Sequence, residues 1–351
     1  MCAIDEKLGR CSLGFFPTPL GELKRLSRHL NGPRLWIKRD DLTGLALGGN
    51  KTRKLEFLLA EALASGCDAI VTAGATQSNH CRQTAAAAAA LGIPCHLVLG
   101  GPPPSLANGN LLLDELFGAT IHWTGTLRKG EELSTVKQSL CLRGLRPFVI
   151  PYGGSNPVGA AGFATAMVEL QGQLAAAGVR PDAIVFASSS GGTHAGLLVG
   201  ASAIGCPAKI IGIGIDKRQP GEEPFEAFIG NLANQSAELL GLQGRYHPED
   251  VFLKTRYLGA GYGMVGALER DAIALMARFE GILLDPVYTG RAFGALVDLV
   301  RQGEFGPGQE VVFWHTGGSP ALFAYAEALA GRRDEPDDFP SGQSQRTQDG
   351  R

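Results

Sequence analysis

Lys51 stands directly after the turn Gly48-Gly49-Asn50 and at the head of a strongly helical segment that runs to Ser65. At a helix N-terminus the aligned peptide dipoles disfavour an ammonium, and a glycine turn lets another group approach closely. Both effects suit a lysine that must be a neutral amine to condense with an aldehyde. Taken alone, the same pattern also fits a solvated lysine at a helix start. The preceding run, Ile37-Lys38-Arg39-Asp40-Asp41-Leu42-Thr43-Gly44, closes a strand at Leu35–Lys38. Its mixed charge leaves Asp40 and Asp41 open to a second reading, a solvated strand end with local ion pairs.

A second constellation is Ser188-Ser189-Ser190-Gly191-Gly192-Thr193-His194, between the apolar strand Ala183–Phe186 and the apolar helix Ala195–Ile204. Backbone N–H groups at a glycine-rich strand-to-helix turn converge on an anion, and the hydroxyls add donors. The spacing is not that of a nucleotide P-loop and fits a single phosphate monoester, such as that of pyridoxal phosphate (PLP). A third is Gly74-Ala75-Thr76-Gln77-Ser78-Asn79-His80, again after a strand, where parallel sheets place their ligands. Ser78 reads equally as a helix N-cap or a catalytic hydroxyl. Asn79 has the donors to meet a phenolate oxygen, and His80 reads as hydrogen-bonded framework rather than a base. Late in the chain Tyr262, Tyr288, Thr289 and Thr316 sit in polar turns. On local pattern alone, the two tyrosines read as packing or interface residues.

These residues need strands that end at one place. Short apolar runs bounded by Gly or Pro occur at Ala69–Gly74, Cys95–Leu99, Pro147–Ile150, Ala183–Ala187, Lys209–Ile215 and Val311–Trp314. Helical stretches at Asn79–Leu91, Gly109–Phe117, Val158–Ala177, Val265–Glu280 and Gly290–Gln302 alternate with them. The alternation predicts an α/β protein with mainly parallel sheets covered by helices on both faces. At 351 residues two domains are expected. One is a small domain at 53–157; the other is a large domain made of 1–52 and 158–331. The polar segment 332–351 reads as a disordered tail.

A formal net charge of −2 gives no broad footprint for nucleic acid or a membrane surface, so the expected partner is a small molecule. Seven scattered cysteines without a C-x-x-C or zinc spacing predict free thiols, no metal and a reducing compartment. The sequence carries no apolar signal segment and no span long enough for a bilayer, so a cytoplasmic protein is expected.

Taken together, the segments resemble the ACC deaminase/D-cysteine desulfhydrase family of PLP enzymes, whose fold is that of the tryptophan synthase β subunit (fold type II). The resemblance runs from Phe15-Phe16-Pro17-Thr18-Pro19-Leu20 to Leu329 and is carried most specifically by three stretches. These are Lys38–Gly44 with Gly48–Glu56, Gly74–His80, and Asp285-Pro286-Val287-Tyr288-Thr289-Gly290. It implies that Lys51 binds the cofactor covalently, that Asn79 contacts its phenolate oxygen, and that Ser189, Gly191, Gly192 and Thr193 cradle its phosphate. Ser78, Tyr262 and Tyr288 are implied as catalytic groups on the substrate side, with Asn79, His80 and Thr289 beside the substrate, and a homodimer is implied. ACC deaminases have a glutamate after the tyrosine and a leucine before the late Gly-Gly, where this chain has Thr289 and Thr316. Without that carboxylate the pyridine nitrogen is not kept protonated. The resemblance therefore points to α,β-elimination from D-cysteine, giving pyruvate, hydrogen sulfide and ammonia. L-Cysteate, which would release sulfite, is the alternative, and ACC deamination the remoter one.

Overall fold

The computed structural model describes residues 7–218 and 221–330; the tail expected at 332–351 lies outside the described residues. Two sheets organise the chain. The larger has six strands in the order β1-β2-β10-β7-β8-β9. Its members are β1 Leu20–Glu22, β2 Arg34–Arg39, β7 Ala183–Ser188, β8 Lys209–Gly214, β9 Phe252–Lys254 and β10 Glu310–His315. Only β1 runs antiparallel, against β2. The smaller is wholly parallel, in the order β5-β4-β3-β6, with β3 Ala69–Ala75, β4 Cys95–Gly100, β5 Thr120–Trp123 and β6 Pro147–Val149.

The longer helices, in chain order, are α1 Lys24–Leu30, α2 Lys51–Ala64, α3 Asn79–Ala90, α4 Gly109–Leu116 and α5 Leu133–Leu142. They continue with α6 Pro157–Ala177, α7 Gly192–Ala203, α8 Phe225–Leu240, α9 Ala267–Glu280 and α10 Thr289–Arg301. Buried strands still obey a period of two, which sends alternate residues to opposite faces. Trp36, Ile184, Phe186, Val312 and Trp314 join the core under α6, α7 and α8. Their neighbours Leu35, Ile37, Val185, Val311 and Phe313 join the core under α1, α9 and α10. Strands apolar on both faces are what a sheet covered on both sides requires. The smaller sheet has its own core, in which Ile70, Leu97 and Leu99 meet Leu55, Leu58 and Leu59 of α2.

Helix α2 carries Lys51 and is anchored by charge. Arg53 donates through Nε and Nη2 to both oxygens of Asp40, each at 2.8 Å, and through Nη1 and Nη2 to Glu169 of α6 at 2.9 Å. Asp40 also accepts from Trp314 Nε1 at 2.8 Å and Thr18 Oγ1 at 2.9 Å. Lys38, fully buried, donates to Glu169, to Gln173 and to the Thr18 carbonyl. The solvated reading of Asp40 is thus overturned, because its carboxylate is fully buried and every contact is a charged, N–H or O–H donor. Asp41, partly exposed, keeps a local pair with Arg39.

Burial alone would raise the Glu169 pKa, but the hydrogen bonds and charge of Arg53, with Lys38, hold it at about 2 instead of the usual 4.5. The unfolded chain therefore binds the extra proton first, so this part of the stability is complete above pH 4.5 and drains away as pH falls towards 2. Glu169→Gln should cost about 3–5 kcal/mol near neutral pH, the cost of stranding one side of a buried pair. It should also flatten the acid limb of stability; denaturant unfolding at several pH values checks both.

Candidate active site

The site forms where strands of both sheets end. The turn before Lys51 depends on Gly48, whose φ is +72° and where a Cβ would lie 1.9 Å from the Asp41 carbonyl oxygen. Arg82, buried in α3, donates to the carbonyls of Ala46 and Gly48 and so fixes this turn. Asn50 then donates its N–H to the Thr316 carbonyl at 3.0 Å and its side-chain amide to Thr193 Oγ1 at 3.1 Å. Segments after β2, β7 and β10 are thereby tied together at the residue before Lys51. Lys51 Nζ donates to the Gly153 carbonyl at 3.1 Å.

Around this amine lies a cleft lined by Lys51, Ser78, Asn79 and His80, by Ser189, Gly191 and Thr193, and by Tyr288 and Thr316. Ser78 Oγ accepts the Cys81 N–H at 3.1 Å, so it caps α3 while facing the cleft. Asn79 is oriented by Asn110, whose Nδ2 donates to Asn79 Oδ1 at 2.9 Å. His80 Nε2 pairs with Thr72 Oγ1 at 2.8 Å. Burial and the charges of Lys51 and Lys54 push the His80 pKa well below the usual range, so the ring is neutral.

Three of the expected site residues stand elsewhere. Tyr262 is one shell back, its hydroxyl 2.6 Å from the Tyr288 hydroxyl. Gly192 faces away from the cleft and donates its N–H to Ser155 Oγ at 3.1 Å. Thr289 is fully buried beneath it; both its N–H and its hydroxyl donate to Asp285 Oδ1, at 2.6 and 2.7 Å. A threonine that caps its own helix through Asp285 has no group left to offer a substrate, and among the described residues no carboxylate lines the cleft. Arg53 and Arg82 are both spent on the framework.

Electrostatically the cleft is short of negative charge. Burial lowers the Lys51 pKa to about 8, which leaves a substantial neutral fraction at physiological pH. Lys54, one turn on, is fully buried and donates to the same Gly153 carbonyl and to Ser155 Oγ, at 3.1 and 3.2 Å. Burial, then the charge of Lys51, push it well below the usual lysine value. It has no carboxylate partner among the described residues. A Cβ at Gly192 would lie 2.8 Å from Lys54 Nζ, so this cation stands at the N-terminus of α7.

A model of the family "Pyridoxal-phosphate dependent enzyme" matches residues 11–317. The chain belongs to this family. D-Cysteine desulfhydrases of Klebsiella pneumoniae and Yersinia enterocolitica are each 44% identical to it, covering 88% of this chain and 94% and 93% of their own lengths. The solved structure of an ACC deaminase homologue superposes with a TM-score of 0.85 at 38% identity, covering 93% of this chain and 97% of that one. A fungal L-serine ammonia-lyase from Rhizomucor miehei, at TM-score 0.63 and 18% identity over 91% of this chain and 98% of that one, shares the fold. The fold is therefore the α/β type II architecture of PLP enzymes, and the cofactor is pyridoxal 5'-phosphate.

The cleft of this PLP enzyme fits its cofactor on its own terms. A buried lysine amine without an acid, beside the N-terminal N–H groups of a buried helix, is a site that an anion would complete. The sequence alone does not single out Lys54 or the segment Pro151–Pro157 as part of the site. Yet Tyr152 and Gly153 of that segment line the cleft. The missed signal was helical spacing: Lys51 and Lys54 are three apart and so share a face of α2. Lys54→Met should weaken PLP retention at least about tenfold, the scale of one lost charge-assisted contact to phosphate. Gly192→Asp, whose side chain would start 2.8 Å from Lys54 Nζ and take that amine as its own partner, should weaken retention as well. Equilibrium dialysis checks both, with circular dichroism to confirm folding.

Proposed function

We propose that the chain is a D-cysteine desulfhydrase: D-cysteine and water give pyruvate, hydrogen sulfide and ammonia. The observation that carries this reading is the cleft's lining, in which an amine poised near neutrality faces hydroxyls and amides and no carboxylate. The two relatives of that name support it. Lys51 and the turn Ser189–Thr193 with Lys54 would hold PLP, with Asn79 at its phenolate oxygen and the Thr316 hydroxyl at its ring nitrogen. When bound, PLP supplies the aldehyde that captures the substrate amine and the ring that draws electrons from Cα.

The chain's own groups do the rest. Lys51 accepts the Cα proton as a neutral amine. The Cβ–S bond then breaks, its electron pair leaving with sulfur. Burial first, and then the neighbouring phenols, push the Tyr288 and Tyr262 hydroxyls well above the usual tyrosine range. Both therefore stay protonated, and Tyr288, backed by Tyr262, would donate its proton to the departing sulfur. Ser78 and Asn79, at the start of α3, and His80 beside them would hold the substrate carboxylate.

A threonine accepts or donates one hydrogen bond but cannot hold a proton on the ring nitrogen as a glutamate does. A less electrophilic ring suffices for expelling sulfide and is poor for opening a cyclopropane, which argues against ACC. No arginine lines the cleft among the described residues to receive a sulfonate, which favours D-cysteine over L-cysteate.

We further infer two domains, 53–157 and 1–52 with 158–331, from the two separate sheets, and a cytoplasmic setting from six free cysteines among the described residues. No helix of the described residues is long and apolar enough to cross a membrane. A homodimer is supported by exposed Phe15, Leu42 and Leu47 around one turn; sedimentation tests it.

Purified holoenzyme should release pyruvate and sulfide from D-cysteine, with ACC turnover at background. Strong ACC deamination would overturn the reading, and sulfite from L-cysteate without sulfide from D-cysteine would replace the substrate. Tyr288→Phe and Ser78→Ala should keep PLP yet lose about ten- to a thousandfold in kcat/KM, the range for a positioned proton-transfer group. Unchanged kinetics in both would return them to packing and capping.

A further inference from the structure

Arg128 lies in the loop between β5 and α5, on the smaller sheet's side of the cleft, and reaches across to the larger unit at two points. Its Nη2 donates to both oxygens of Asp216, at 3.0 and 2.8 Å; Asp216 follows β8 of the larger sheet. Its guanidinium carbon lies 4.2 Å from the centroid of the Tyr262 ring. Nη1 is buried with no hydrogen-bond acceptor among the described residues, so on that side the contact is with rings rather than with an acid. Tyr262 in turn meets Tyr288 edge-on, with ring centroids 5.9 Å apart at 73° and hydroxyls 2.6 Å apart. The next residue, Lys129, adds weaker pairs to Asp216 and Glu222 at 3.6 and 3.4 Å.

A planar guanidinium can present an edge to a carboxylate and a face to an aromatic ring at once, which an ammonium cannot. A side chain used only to tie two units together needs the carboxylate alone. Here the same group also clamps the ring whose hydroxyl fixes Tyr288.

We propose that Arg128 is a positioning residue: by bridging Asp216 and Tyr262 it holds the Tyr262–Tyr288 hydroxyl pair where its proton can reach the leaving group. This rests on the reading of Tyr288 as proton donor given above. Loosening the ring lets the hydroxyl wander, and misplacement by about 1 Å costs about 10²-fold in such a step. The groups that would hold PLP and the substrate carboxylate, Lys51, the Ser189–Thr193 turn and Ser78–His80, lie outside these contacts.

The test is a double-mutant cycle on the holoenzyme, using Arg128→Met, Tyr262→Phe and the pair, with pyruvate formation from whichever small amino acid the wild type turns over best. Arg128→Met should lower kcat by about tenfold or more while KM and PLP retention change little, and should add almost nothing in the Tyr262→Phe background, because coupled residues are not additive. Asp216→Asn, which keeps the cation but loosens its anchor, should lower kcat in the same direction and guards against a misfolded Arg128 variant. Losses that multiply independently, or a lower melting temperature with kcat intact, would overturn the proposal and leave a structural ion pair. A wild type that holds PLP but yields no pyruvate would fail the functional reading instead. The clamp is then read from tyrosine near-ultraviolet circular dichroism in the same proteins: Arg128→Met should alter the signal only while Tyr262 is present, and an equal change without Tyr262 would overturn it.

Discussion

Two lysine amines, Lys51 and Lys54, share one backbone carbonyl, that of Gly153, and neither has a carboxylate beside it. Holding cations away from water without an acid is costly, and a protein ordinarily escapes by deprotonating the group or pairing it. Burial draws both down here, Lys51 to about 8 and Lys54 well below the usual lysine value, and Lys54 stands at the N-terminus of a buried helix where an anion would favour its charged form. Most other features of the site follow. Acids are kept out of the cleft, the glycine turn lets a phosphate come close, and Tyr152, Tyr262 and Tyr288 supply polarity without negative charge.

The same helix solves the opposite problem on its other side. Arg53 sits between the two lysines in sequence but turns towards Asp40 and Glu169, which also take Lys38 and Trp314 Nε1. Helix α2 therefore turns two lysine amines without a carboxylate towards the Gly153 carbonyl and a fully paired cation towards the framework. The pairing supplies the rigidity that the unpaired face needs, because it locks the start of α2 to β2, β10 and α6. A charge-poor cleft on a loosely held helix would relax by moving its lysines to solvent.

Much of this was legible in the chain. The alternation of β3, β4, β7, β8 and β10 with α3 and α6 could be read to within a residue or two, since apolar runs bounded by Gly and Pro mark them locally, whereas α7 begins three residues earlier than expected, inside the glycine turn. Lys51, the Ser189–Thr193 turn and Ser78–His80 were visible because each lies at a strand-to-helix junction. Short edge strands such as β1, β5 and β9, of three or four residues, left too little periodicity to find. What sequence could not supply was direction. Lys38, Asp40 and Arg53 look like surface charges until α6 brings Glu169 beside them. Thr289 looks like a substrate residue until Asp285 is seen to take its hydroxyl. Asn110, Tyr152 and Arg128 act through partners between about 30 and 135 positions away in the chain, a separation that no local pattern encodes.

The central claim, that the lysine heading α2 is the covalent seat of PLP and that its neighbour one turn on serves the phosphate, is tested most directly by borohydride reduction of the holoenzyme and peptide mapping. The account predicts one modified peptide, with the reduced cofactor on Lys51 and none on Lys54. Modification at Lys54 or at any other lysine, or a yellow protein in which reduction fixes no cofactor, would contradict it.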